Sequence, residues 1–170
     1  MSIKNFFRYF CLIFIIFICV FIFIMSAKNG QESGSLSGSV IEFFVRLFNR
    51  NFDNLPISEQ LSIIDKYQFI VRKGAHFSIY AALGFFTVGF LNTYKDLRYF
   101  KSAIFSLIFV SLYATSDEIH QLFVAGRGGQ ARDVLIDTLG GIFGISIMII
   151  LFKTAKAVLE AKRSNEIKKQ

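Results

Sequence analysis

SAIFSLIFVSLYATSDEIHQ, residues 102–121, begins as membrane sequence and ends in two carboxylates, an imidazole and an amide: Asp117, Glu118, His120 and Gln121. At the edge of an apolar helix each of these groups costs free energy unless it is partnered, hydrated or used. At helical spacing Asp117 shares a face with His120 or Gln121, while Glu118 points about 100° away. One helix therefore cannot satisfy all four, and partners must come from elsewhere in the chain.

Two other apolar segments offer them at similar positions. Arg72, Lys73 and His76 stand just before the apolar run 77–91, and Arg127, Arg132 and Asp133 stand before the run 134–152, which itself carries Asp137. Arg72, His76 and Tyr80 are spaced i, i+4, i+8 and form a polar stripe along one helix face. Asp133 and Asp137 form a second, with Asp137 about 6 Å deeper by helical rise. A charged mouth built from three helix ends is the simplest architecture with this pattern. Arg72 or Arg127 is the expected counter-charge for its carboxylates, with Lys73 and Arg132 as further cations.

Composition agrees with a bilayer protein. The chain is 54% apolar, with 22 Phe, one Pro and no Trp, unlike a soluble core under a charged coat. Cys11 and Cys19 both lie in the first apolar run and read as packed or lipid-facing side chains, with no disulfide implied. The formal charge of +7 does not point to nucleic acid, because its densest cluster, Lys153 to Lys169, directly follows an apolar helix. That is where a cytoplasmic flank meets anionic lipid.

Along the chain, residues 10–25 are uninterrupted apolar sequence after Lys4 and Arg8. A cleaved signal peptide is the alternative, but the core is long for one, and an uncleaved helix is expected. Residues 26–38, rich in Ser and Gly, read as a flexible turn. A capping box at Ser39 and Glu42 and a start near Pro56 suggest one or two short amphipathic helices within residues 39–72, lying on the membrane surface or capping the bundle. The fold class is thus all-α integral membrane protein, one domain over 1–170, with spans near 6–26, 73–92, 102–120 and 133–153. Gly140, Gly141 and Gly144 allow close helix approach in the last span, an ordinary packing role.

Charge asymmetry orients the spans. The N-terminus, the loop 92–101 and the C-terminal tail carry eleven Lys and Arg against three Asp and Glu; the other side carries eight against nine. The positive-inside rule then places both termini in the cytoplasm of a multi-pass cell-membrane protein, with the charged mouth outside.

Three spaced motifs carry a family resemblance: Arg72, Lys73, Ala75, His76, Phe77, Tyr80, Leu83 and Gly84; then Asp117, Glu118, Ile119, His120, Gln121, Phe123, Gly126 and Arg127; then Asp133, Asp137, Thr138 and Gly140. In this order and spacing the chain resembles the VanZ-like family over nearly its whole length. That family often has Pro where this chain has Ala125, and Asn where it has Asp137, so this chain adds an ionisable group inside the membrane. The resemblance implies a small multi-pass membrane protein linked to glycopeptide resistance, above all to lipid-tailed drugs such as teicoplanin.

Three readings of the cluster follow from its chemistry. His76, Asp117, Glu118 and Asp133 are candidates for acid/base chemistry, or for binding, at a lipid-linked cell-wall precursor or a lipoglycopeptide. Arg72, Lys73, Tyr80, His120, Gln121, Arg127 and Asp137 would bind it, an arginine holding an anionic group such as phosphate. Alternatively the cluster captures or shields a headgroup without turnover, or consists only of ion pairs that fix the helices. No metal or other cofactor is expected, since no HExxH-like pair fixes two ligands on one face for a site using His76 and His120. The expected partners are membrane lipids and such a substrate, and no nucleic acid.

Overall fold

A computed structural model describes residues 2–94 and 97–167. Lys95 and Asp96 of the basic loop, and Lys168 and Lys169 of the basic tail, lie outside the described residues. Among the described residues all regular structure is helical: α1 (Ile3–Ser26), α2 (Gly30–Phe48), α3 (Ile57–Leu91), α4 (Tyr99–Gln121) and α5 (Ala131–Ile167), with a 3-10 turn at Phe52–Asn54. Four of these, α1, α3, α4 and α5, are long and apolar enough to cross a membrane. The chain is an all-α, multi-pass membrane protein.

Three expectations about the region between the first and second spans are corrected. Residues 26–38 are no flexible turn, because α2 begins at Gly30, where the Asn29 side chain accepts from the Glu32 N–H at 2.9 Å. Glu32 in the first turn also complements the positive end of the helix dipole. The capping box at Ser39 does not form. Ser35, Ser37 and Ser39 instead donate to carbonyls three or four residues back, so the serines satisfy themselves inside a continuous helix. The second amphipathic stretch is also not a separate helix. It runs unbroken into the second span as the 35-residue α3, about 52 Å long against a hydrocarbon core of about 30 Å. Likewise α5 continues past residue 153 to Ile167.

Glycine decides which helices meet most closely. A Cβ on Gly140 would strike the Phe77 carbonyl oxygen, one on Gly144 that of Ala81, and one on Gly84 that of Gly141. The first two of these approaches advance together along α3 and α5, as do the Lys73–Asp133 and His76–Asp137 pairs, so the two helices run parallel. Small residues that let backbones touch are the ordinary device of membrane helix packing, as the sequence suggests for Gly140, Gly141 and Gly144. Around this pair, Ile18 and Ile22 of α1, Tyr80 and Leu83 of α3, and Val110 and Ala114 of α4 form the main buried cluster.

The two ends of the bundle differ in chemistry. At one, the Arg8 guanidinium donates to the Thr93 hydroxyl at 2.9 Å and lies 4.3 Å from the centre of the Tyr94 ring. This brings the start of α1 and the end of α3 together. At the other, the Gly30 N–H donates to the Ala125 carbonyl at 3.1 Å. Gly126 follows with a φ of +72°, a left-handed turn that favours glycine. The loop after α4 is thereby clipped to the start of α2, and the polar residues converge beneath it.

Candidate functional site

The parallel register of α3 and α5 places the ion pairs. Lys73 meets Asp133 in a direct salt bridge whose side chains are only 14% and 13% exposed. One turn deeper, His76 Nδ1 stands 3.6 Å from Asp137 Oδ1, with the Asp137 side chain 1% exposed. Lys73 is therefore the counter-charge of Asp133. Among the described residues neither Arg72 nor Arg127 pairs with a carboxylate, contrary to expectation: Arg72 is an exposed residue, and Arg127 is taken by amide and carbonyl oxygens.

From α4, Asp117, Glu118 and Gln121 are all buried. Gln121 Nε2 donates to Asp117 Oδ2 at 3.1 Å and to Glu118 Oε1 at 3.4 Å, while its Oε1 accepts from Arg127 at 3.2 Å. The amide thus bridges the Arg127 guanidinium to both carboxylates. Glu118 Oε2 accepts from the backbone N–H of Gln130 at 2.8 Å, immediately before α5. A carboxylate there caps the helix and sits at the favourable end of its dipole. Arg127 lies in the loop, where burial pulls its guanidinium below the usual range. Nearby Arg72 acts in the same sense, and Asp117 and Glu118 oppose it.

His120 stands apart from this group. Its ring packs on Phe23 of α1, with centroids 4.8 Å apart, because at i+3 from Asp117 it falls on the side of α4 that faces α1. Tyr80 is fully buried, and its hydroxyl has no hydrogen-bond partner among the described residues. Of the sequence candidates, Glu118 and Asp133 are engaged in holding helices, while His76, Asp117 and Asp137 come together. Arg132 lies over the Phe69 ring at 5.4 Å.

Two cavities meet at this cluster. One, of about 250 Å³, is walled by apolar side chains of α1, α2 and α3, including Phe21, Ile22, Leu36, Val40 and Ile79. The other, of about 220 Å³, is lined by Lys73, Gln121, Gln130 and Asp133 and by loop glycines. Arg72, His76 and Arg127 line both. The first half of α2 was missed by the sequence reading, which took residues 26–38 for a turn and began a helix only at Ser39; the four-residue spacing of Gly30, Gly34 and Gly38 was the available signal.

A family model described as VanZ/LLP1 matches residues 10–153, a stretch that takes in α2 and every residue of the polar cluster. No curated protein and no solved structure matches the chain.

Proposed function

The chain belongs to the VanZ/LLP1 family, and from that premise we propose that it contributes to resistance against lipid-tailed glycopeptides by holding an anionic amphiphile of the cell envelope. One observation carries this reading: an apolar and a polar cavity share the edge formed by Arg72, His76 and Arg127, which carries two guanidinium groups. An acyl or isoprenoid tail suits the first cavity, and a phosphate or carboxylate headgroup suits the arginines at the junction. The charge asymmetry of the sequence supports an outward-facing mouth in the cell membrane, where lipid-linked wall precursors present headgroups and where a drug such as teicoplanin anchors its tail.

Binding fits better than turnover on the present geometry. Glu118 and Asp133, two of the four candidates for acid/base work, are occupied by the α5 cap and by Lys73.

The test is expression in a glycopeptide-susceptible bacterium. The parent protein raises tolerance to teicoplanin more than to vancomycin, which lacks the tail. His76→Ala and Arg127→Ala, at matched membrane abundance, lose most of that difference. Equal protection against both drugs, or variants that protect as well as the parent, would contradict the proposal.

A further inference from the structure

Charge does not balance beneath the shared edge of the two cavities. Asp133 is matched by Lys73. Among the described residues, the remaining buried carboxylates, Asp117, Glu118 and Asp137, are set against the half-buried guanidinium of Arg127, since Arg72 is exposed. Uncompensated carboxylates inside a bilayer protein are costly, and they persist where they pair, take up protons or coordinate a cation.

The geometry singles out three of these groups. Among the described residues, one ligand atom each from His76, Asp117 and Asp137 lies within 4.8 Å of the other two. His76 Nδ1 and Asp137 Oδ1 are 3.6 Å apart, too far for a good hydrogen bond. Two ligand atoms of one tetrahedral ion, each about 2.1 Å from it, stand roughly 3.4 Å apart. Among the described residues, neither carboxylate oxygen of the buried Asp137 has a hydrogen-bond partner, and neither has the buried Tyr80 hydroxyl. Asp117 is held from behind by Gln121 Nε2 on Oδ2, the kind of outer support that orients metal ligands.

We propose that His76, Asp117 and Asp137 bind a divalent cation of the zinc or manganese kind at the floor of the amphiphile site. One imidazole and two carboxylates suit those ions, and a dication offsets the surplus negative charge left by Arg127. Three protein ligands leave coordination positions open. His76, which lines both cavities, brings the ion to their edge, where an open position meets an anionic headgroup. The inference deepens the amphiphile reading, and only its headgroup contact rests on that reading. His120, the second histidine considered from sequence, is not a ligand, because α4 turns it toward Phe23.

The experiment uses the full chain, purified in detergent through a tag without histidine and without chelator. Metal content is measured, the protein is stripped with EDTA, and Zn²⁺ or Mn²⁺ alone is titrated back while thermal unfolding is followed. About one ion per chain is expected, with stripping lowering the melting temperature and one of the two ions restoring it. Asp137→Asn abolishes this response, Gln121→Ala weakens affinity about 10- to 100-fold, and His120→Ala leaves it unchanged. A parent with neither bound ion nor a cation-dependent rise overturns the proposal, whether or not the variants fold. So does binding that survives in the Asp117→Asn, Asp137→Asn double variant, which marks the ion as adventitious. An absent ion alongside retained anionic lipid would refute this inference and leave the amphiphile reading standing.

Discussion

His76 Nδ1 of α3 faces Asp137 Oδ1 of α5 across 3.6 Å, and the two helices reach that separation only because they run parallel with their backbones in contact one and two turns further along. Phe77 against Gly140 and Ala81 against Gly144 are the contacts that hold the register. The polar pair is therefore a consequence of glycine placement as much as of charge.

Glycine-to-alanine changes test that dependence. Gly140→Ala and Gly144→Ala each force a methyl group onto a backbone carbonyl and are expected to cost about 1–3 kcal/mol, read as lowered thermal stability in detergent. Gly74→Ala, whose added Cβ meets nothing within 4 Å, is expected to be neutral or to stabilise the helix by about 0.5–1 kcal/mol. Wild-type stability in Gly144→Ala would refute the close parallel packing.

The Lys73–Asp133 pair makes a second prediction. Its side chains are largely withdrawn from water, so Lys73→Met leaves a buried carboxylate alone and costs on the order of 3–5 kcal/mol. Adding Asp133→Asn to Lys73→Met recovers much of the loss, because no unpaired charge remains. Arg72→Met, at an exposed residue, costs below about 1 kcal/mol. Equal losses for Lys73→Met and Arg72→Met would contradict the pairing.

Glu118 is expected to act through α5. Glu118→Ala removes the acceptor of the Gln130 N–H and costs about 0.5–2 kcal/mol, as loss of a helix cap does. Amide exchange should quicken in the first turn of α5 while the far end of that helix is unaffected. Uniform exchange along α5 in parent and variant would show that Glu118 does not cap it.

Most of this arrangement was legible in the sequence, and the failures lie where composition misleads or where the rotation and packing of whole helices decide. Four apolar runs announced the spans, and charges at three helix ends announced a common mouth. The first half of α2 was hidden because Ser and Gly signal loops in water, whereas here Ser35 and Ser37 satisfy themselves on helix carbonyls. Gly34 lets α3 approach, with the Gln68 amide 3.2 Å from where a Cβ would stand. The partner of Asp133 was also underdetermined, because Arg72 and Lys73 are adjacent and only the rotation of α3 against α5 decides which one faces inward. His120 was grouped with Asp117 by spacing alone; its contact with Phe23 depends on where α1 packs.

Sidedness is tested by labelling single cysteines in a chain with Cys11 and Cys19 replaced by Ala. Arg8 ties the start of α1 to Thr93 and Tyr94, so Tyr94→Cys shares a side with the N-terminus; Gly128→Cys lies at the opposite end. With the termini inside, a membrane-impermeant maleimide on intact cells reaches position 128, and it reaches positions 94 and 164 only after permeabilisation. Labelling of position 94 from outside would invert the topology.

The central claim is that one anionic amphiphile spans the apolar and polar cavities, and native mass spectrometry of the purified protein tests it most directly. The parent is predicted to retain an equimolar acidic or phosphate-bearing lipid through delipidation that strips bulk phospholipid. Arg127→Ala loses it by removing the headgroup contact, and Ala75→Phe, which fills the apolar cavity from its own wall, loses it while every charged group remains. A parent without bound lipid, or a bound lipid that persists undiminished in both variants, would contradict the account.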